Sequence, residues 1–565
     1  MSPAFQKSPA PLDPVPFNIP HAFYETLSNG LKVVIFEDHR LPMVSYRLAF
    51  LSGDAVDNGI VGVTSAMTSM LTEGTENYSS LQLAEKIERL GAGLAASSSD
   101  DFTVVSGSSL LIYSSEILQL MAEVIFRPTF PEEELALHRT NTLENLKYQR
   151  SQPTFLANEQ TARILYGDHP YAQISSTPDD VAKWTREELI KAKERTFLPN
   201  NAVFIAVGDV NREELLSEIK ERFGDWQPGD VRQHTFPQPP TRSQRTLTIV
   251  DRPGSSQANI VLSNIAFDRG DADYFPVLVM NQILGAGASS RIFMNLREEK
   301  GYTYGAYTRF DAKKLAGDFE ATAEVRTAVV GDSLKEFFYE LERIRDDKVS
   351  QEELEDAISY LTGVFPLRAE TQEGLTGMLV NQQLYGLPDD YLQTYRDNIS
   401  AVSIDDVQRV AKRFITPDKF AMVIVGDAAE ILPQVRSYTE NIEVYDINGN
   451  SKDVAEYEAA AAEEPANVGG TWELSLSFMG QDVSVELTLE QDGNIVNGNL
   501  STMLGEGTIT NGKVTGNKLA ATAVTELQGQ QLELAISATA NEDKLEGTIT
   551  SAMIPTPLEF TGSRV

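Results

Sequence analysis

The chain has 565 residues, 82 of them acidic and 47 basic, for a formal net charge of −35. A surface this negative repels phosphate backbones and anionic headgroups, which excludes nucleic acid and electrostatic membrane docking as roles. The absence of any cysteine excludes disulfides, thiol nucleophiles and Cys-based metal sites, and no run of about 20 apolar residues is present to span a bilayer.

The first 20 residues, MSPAFQKSPAPLDPVPFNIP, read as a Pro-rich extended arm without the apolar core of a signal peptide. Together with the acidity and the missing cysteines, this start leads to the expectation of a mature periplasmic protein. An α+β unit is expected over 21–226. Alternating apolar segments from Leu31 to Phe36 and from Val44 to Phe50 predict strands, and Ser79 to Leu90, Glu132 to Arg150 and Arg186 to Arg195 carry helical patterning. Within this unit GVTSAMTSMLTEGT (62–75) reads as a short buried helix with Val63, Ala66, Met67, Met70 and Leu71 as its apolar positions. Helical spacing also groups the small hydroxyl residues Ser65, Thr68 and Ser69.

A Pro-rich linker over 227–246 leads to a second α+β unit, 247–440, with a strand at Ile260 to Ser263 and helices at Asp332 to Arg345, Gln351 to Phe365 and Ile404 to Phe414. The two units are related. RTFLPNNAVFIAVGD (195–209) and RFITPDKFAMVIVGD (413–427) share Arg195/Arg413, Pro199/Pro417 and a Val-Gly-Asp end at one constant offset. The same order of helix, Pro turn, strand and Gly-Asp turn around both copies indicates duplication. An Ala/Glu-rich connector, partly helical, is expected over 441–470. From Thr471 to the end, short alternating segments separated by turn signals such as QDGN and NEDK predict a small antiparallel β domain, barrel or sandwich, over 471–565.

Chemistry is sparse. The five histidines, His21, His39, His138, His169 and His234, include no pair three to five residues apart, so none forms a local zinc motif. Neither a G-x-S-x-G elbow nor a Walker-type loop occurs. One segment stands out, LGAGASSRIFMNLREEKGYTYGAYTRF (284–310). It predicts a Gly-rich loop, a helix with Ile292, Phe293 and Leu296 as apolar positions, a break at Gly301 and a strand bearing Tyr302, Tyr304 and Tyr307. Arg297 and Tyr304 can then face one cleft, where an arginine clamps a peptide carbonyl or carboxylate and a tyrosine hydroxyl donates to a developing oxyanion. Pairing of Arg297 with a neighbouring Glu and packing of the tyrosine is the alternative left open by spacing.

SSRIFMNLREEKGYTYG resembles the C-terminal-half signature of the insulinase/pitrilysin-type zinc metallopeptidases, the inverzincins, which include mitochondrial processing peptidases and two-component bacterial peptidases. The resemblance covers roughly residues 20–440. It implies two homologous α/β-sandwich units of mitochondrial processing peptidase type, paired as a clamshell around a cavity. Active members carry H-x-x-E-H in the context G-L-A-H-x-L-E-H-M-L-F-K-G-T, with which GVTSAMTSMLTEGT aligns without a gap. Ser65 and Ser69 then stand at the two zinc-histidine positions, Thr68 at the glutamate base, and Asn145, beside Glu144, at the third ligand. With these residues the chain is expected to bind no cofactor itself and to be inactive alone.

The family's L-R-x-x-x-G-x-x-Y pattern is met by Leu296, Arg297, Gly301 and Tyr304. The resemblance therefore implies a non-catalytic subunit of a heterodimer. A homologous partner would carry H-x-x-E-H and zinc, and Arg297 and Tyr304 would bind peptide substrate and stabilise the tetrahedral intermediate. Two other roles stay open: a structural subunit like the core proteins of respiratory complexes, and peptide capture without cleavage.

Overall fold

The structure, a computed structural model, describes residues 17 to 565 apart from residues 18, 58, 458–464, 479–480, 503–504, 528–529 and 552–553. Most of the expected N-terminal arm and the middle of the connector lie outside the described residues. Two compact units are present, Met1–Thr248 with Asn259–Val425, and Ile249–Ala258 with Gly426–Val565.

The first half of the body contains β1 (Phe23–Thr26), β2 (Lys32–Glu37), β3 (Met43–Phe50), α1 (Val63–Ser69), α2 (Ser80–Arg89), β4 (Gly93–Ser98), β5 (Thr103–Leu110), α3 (Ser114–Phe126), α4 (Glu132–Ser151), α5 (Pro153–Tyr166), α6 (Pro178–Lys183), α7 (Arg186–Thr196), β6 (Ala202–Gly208) and α8 (Arg212–Phe223). Six strands form one sheet in the order β1-β2-β6-β3-β5-β4. Only β2 and β6 run parallel; the other neighbours are antiparallel. The second half repeats the plan with β7 (Thr246–Asp251), β8 (Gln257–Ile265), α9 (Tyr274–Leu284), α10 (Arg291–Phe293), β9 (Thr303–Ala312), β10 (Gly317–Arg326), α11 (Val330–Asp346), α12 (Gln351–Ala369), α13 (Gln372–Leu384), α14 (Tyr391–Ser400), α15 (Ile404–Phe414) and β11 (Ala421–Gly426). After α16 (Ala428–Val435) come β12 (Ile442–Asp446) and β13 (Ser451–Lys452), and the second sheet has the order β13-β12-β7-β11-β8-β10-β9.

The duplication read from the sequence extends to the caps. Thr185 accepts a hydrogen bond from Glu188 N–H at the start of α7, and Ser403 accepts one from Asp406 N–H at the start of α15. Both satisfy an N–H that has no partner within the helix.

The central strands of the first sheet are apolar on both faces. Val33, Ile35, Phe204 and Ala206 face a core built with α1, α3 and α8. Their neighbours Val34, Phe36, Val203, Ile205 and Val207 face the opposite way, against Phe365 of α12, Leu375, Leu379, Val380 and Leu384 of α13 and Leu392 of α14. The far face of the first sheet is therefore covered by helices of the second half. The converse contact brings Ala162, Leu165 and Tyr166 of α5, with Tyr171, against Ile265, Ala316 and Ala421 of the second half. Polar ties accompany this exchange. Tyr166 Oη donates to Asp318 Oδ2 at 2.6 Å, Lys313 Nζ to Asp100 Oδ2 at 2.8 Å, and Lys314 N–H to Asp101 Oδ2 at 3.1 Å.

The C-terminal domain is a closed barrel of eight strands: β14 (Gly470–Phe478), β15 (Gln481–Asp492), β16 (Ile495–Thr502), β17 (Gly505–Thr515), β18 (Lys518–Leu527), β19 (Gln530–Asn541), β20 (Lys544–Ser551) and β21 (Ile554–Arg564). Each strand is antiparallel to the next, and β21 closes onto β14 through pairs such as Leu474↔Gly562. Closure leaves no exposed sheet edge. Trp472 is fully buried, its Nε1 donates to Val468 O at 2.8 Å, and the Arg564 guanidinium lies 4.4 Å from its ring centroid.

Leu379 of α13 is 2% exposed and lies in the core shared by both halves. Leu379→Ala is expected to lower stability by about 2–5 kcal/mol through lost burial and the cavity left behind. Urea unfolding followed by circular dichroism measures this. Because the side chain joins the halves, both are expected to unfold in one shifted transition.

Candidate functional site

Of Ser65, Thr68 and Ser69 on α1, the first two are engaged within the protein. Ser65 Oγ donates to Asp54 Oδ2 at 2.6 Å, and Ser98 Oγ on β4 donates to Asp54 Oδ1 at 3.1 Å. Thr68 Oγ1 donates to the Thr64 carbonyl, four residues back, at 2.7 Å. Ser69 is exposed on α1, and Asn145 is exposed on α4. Its neighbour Glu144 holds Lys147 at 2.6 Å. Among the described residues, the four positions make no hydrogen bond with one another, and no group of three or more His, Cys, Asp or Glu side chains is placed to hold a metal ion. Three hydroxyls and an amide lack the imidazole and carboxylate donors of a zinc site, and two of the hydroxyls already donate elsewhere. The residues present do not fit zinc.

A second carboxyl, Asp57, lies under the same helix. Thr64 presents both its hydroxyl and its N–H to Asp57, the latter at 3.2 Å, and Arg195 Nη2 of α7 reaches Thr64 Oγ1 at 3.2 Å and Asp57 Oδ1 at 3.4 Å. Burial pushes the Asp57 carboxyl up to about 7, against the opposing hydrogen bonds of Thr64 and the charge of Arg195. Burial likewise raises Asp54. Sequence reasoning missed Asp54, Asp57 and this use of Arg195. Their signal was the pair of acids in SGDAVDNG just ahead of the α1 glycine.

Arg297 and Tyr304 lie in the second half. The helix that begins as α10 widens into a π-helical turn over Met294–Glu299, with Lys300 N–H donating to Asn295 O at 3.0 Å. Such turns recur at functional sites because they displace a side chain from the regular helical row. Ile292 and Leu296 are fully buried and anchor the turn, which leaves Arg297 half-buried at its rim. Asn295 is fixed below by hydrogen bonds to Glu336 at 3.1 Å and Glu340 at 3.0 Å. The chain reverses at Gly301, whose φ of +63° belongs to the left-handed region, and enters β9.

Strand β9 is the edge of its sheet. Its pairing with β10 jumps from Ala306↔Ala323 to Thr303↔Val325, so Tyr304 and Gly305 together oppose Glu324 alone. This bulge re-aims Tyr304 out of the sheet, and its side chain is 88% exposed. The Arg297 guanidinium sits 5.8 Å from the Tyr304 ring centroid and has no ion pair or hydrogen bond among the described residues. The sequence alternative in which Arg297 pairs with a neighbouring Glu is not what the structure shows. Phe293 and Tyr307, ring centroids 5.6 Å apart, provide further aromatic surface. The edge is positioned from the Gly-rich loop. Thr308 N–H donates to Gly285 O at 2.9 Å, an approach so close that a Cβ on Gly285 would lie 2.6 Å from that nitrogen.

Two family models match the body. The model described as "Insulinase (Peptidase family M16)" matches residues 32–179, and that described as "Peptidase M16 inactive domain" matches 183–361. The chain belongs to the insulinase family, peptidase family M16. Both matches end before the barrel begins. Relatives include the "Non-peptidase homolog YmxG" of Helicobacter pylori, 23% identical over 406 residues covering 70% of this chain and 91% of that protein. Another is the "Uncharacterized zinc protease YmxG" of Bacillus subtilis, 22% identical over 412 residues covering 72% and 98%. A solved peptidase M16 inactive domain from Pseudomonas fluorescens superposes with a TM-score of 0.68 at 28% identity, covering 72% of this chain and 98% of that one. The mixed α/β body with two sheet units of this type and the resemblance to the inactive branch of the family both agree with the sequence reading.

Asp57 makes stability depend on pH. Its folded value, raised above that of an unfolded carboxyl, means that the folded state holds the proton more tightly. Stability is therefore expected to fall as pH rises from about 4 to about 7. Asp57→Asn, which keeps the hydrogen-bonding shape without the charge, is expected to flatten that slope. Melting temperatures at pH 4.5, 6 and 7.5 for both proteins check it.

Proposed function

We propose that this chain is the non-catalytic subunit of a two-chain zinc peptidase and presents Arg297 and Tyr304 to a site whose metal and base come from a homologous H-x-x-E-H subunit. The observation that carries this reading is the contrast between the halves. In the first, Ser65 and Thr68 donate inward to Asp54 and a helix carbonyl. In the second, Arg297 has no polar partner among the described residues and lies beside a Tyr304 that is 88% exposed. A cation and a phenol held at a sheet edge suit a peptide: the guanidinium grips a carbonyl or carboxylate, and the hydroxyl donates to oxygen as charge develops there. Peptides in extended form fit such an edge because the strand already offers unpaired backbone groups. Support also comes from the relative named a non-peptidase homolog and from the match to an inactive-domain model.

The purified chain is expected to be silent on a quenched fluorescent peptide and to support turnover when mixed with its H-x-x-E-H homologue. Arg297→Ala and Tyr304→Phe are each expected to lower kcat of the mixture by about 10²–10³, the usual loss for one oxyanion donor. Co-elution of the two chains on size exclusion is expected to be unchanged. Full turnover in both variants would remove these residues from the mechanism.

A further inference from the structure

Arg195 of the first half and Arg232 and His234 of the linker line a cavity of about 810 Å³, bounded also by Asp57, by Phe236 and, from the second half, by Lys314. Ligand pockets commonly hold about 300–1,000 Å³. The Arg195 side chain is 18% exposed, and its Nε is buried without a hydrogen-bond partner. Arg232 and His234 have no hydrogen bond or ion pair among the described residues. Burial, and then the charges of Arg195 and Arg232, hold His234 below its ordinary value. Cationic groups close enough to disfavour one another are thus gathered in a protein of net charge −35, where neutralising partners are abundant.

The duplication supplies an internal control. Arg413, the counterpart of Arg195, spends its guanidinium on two carboxylates, reaching Asp271 Oδ2 at 2.9 Å and also contacting Asp273. Asp273 is held below the ordinary carboxylate range, its two arginines outweighing burial. Among the described residues the one carboxylate that Arg195 reaches is Asp57, at 3.4 Å, and burial favours the neutral form of that acid. Three other acids of the lining are occupied: Asp100 holds Lys313 at 2.8 Å, Asp101 accepts from the Tyr171 hydroxyl and from Lys314 N–H at 3.1 Å, and Glu188 holds Lys191 at 2.9 Å, while Glu194 and Asp230 make no hydrogen bond or ion pair to the arginines among the described residues. The first copy of the arginine is therefore short of one carboxylate, and the cavity opens beside it.

We propose that this cavity binds a small carboxylate-bearing ligand, with the carboxylate held between Arg195 and Arg232 and flanked by His234. A planar carboxylate matches the edge of a guanidinium. A doubly charged phosphate would be repelled more strongly by Asp100 and Asp101 in the same lining. The site shares no residue with Arg297 and Tyr304, so it stands or falls separately from the peptidase reading. A peptide C-terminus and a free carboxylic acid offer the same chemistry.

The test is calorimetric titration of the full chain with an N-acetylated tripeptide acid, with its C-terminal amide, and with citrate. The tripeptide acid is expected to bind saturably, about tenfold more tightly than the amide, a difference of about 1.4 kcal/mol. Arg232→Gln, with an unchanged melting temperature, is expected to weaken it at least as much. Citrate that binds more tightly than the peptide and competes with it would support the site and identify free acids as its ligands. Absence of saturable binding to any probe, equal binding of acid and amide without citrate binding, or undiminished binding by Arg232→Gln would overturn the assignment.

Discussion

The body depends on the exchange of helices between its two halves. Val34, Phe36, Val203, Ile205 and Val207 would present a bare apolar face if the first sheet had only its own helices. Apolar area of that size is not left in water, at about 25 cal/mol per Å², so α12, α13 and α14 of the second half must cover it. The second half in turn receives α5 and Tyr171. Each half lacks a complete core alone, which makes the duplicated body one cooperative structure rather than two linked domains.

That exchange also fixes polar geometry. Tyr166–Asp318, Lys313–Asp100 and the Lys314 N–H to Asp101 all tie the first half to the second. Buried acids of this kind are costly unless hydrogen-bonded, and each here has a donor from the other half. Burial still pushes the Asp318 carboxyl up to about 7, because Glu320 and Asp311 add to it and the hydroxyl of Tyr166 and the charge of Arg309 offset only part.

Two copies of one unit have diverged at the level of single side chains. In the first copy the α1 face has become a hydroxyl–carboxyl network around Asp54 and Asp57, and its arginine is only half used. In the second copy the corresponding arginine is saturated by two carboxylates, while a π turn and a β-bulge hold Arg297 and Tyr304 outward. The backbone plan is shared because apolar patterning and capping are shared. The chemistry differs because it rests on a few polar residues that packing does not constrain.

Much of the architecture was legible in the sequence. The helix at Ile404–Phe414 is where its periodicity placed it, and Arg186 to Arg195 extends by one residue to Thr196. These segments carry their own caps and one apolar stripe, so local physics sufficed. The grouping of Ser65, Thr68 and Ser69 on α1 was likewise a matter of residue type at fixed helical spacing. Helices α5 and α13 lack a clean amphipathic period because polar residues interrupt their apolar positions, Asn158 to Thr161 in α5 and Asn381 to Gln383 in α13. The barrel's closure depends on β21 pairing with β14, about 90 residues earlier in the chain. Asp57 lies 138 residues from Arg195, and their meeting over a cavity has no local signature. Sequence alone determined the locally capped elements and the duplication, since these follow from period and residue type. Tertiary structure decided which helices cover which sheet, how the π turn and bulge aim Arg297 and Tyr304, and where an arginine is left without its carboxylate, since those are set by contacts between distant segments.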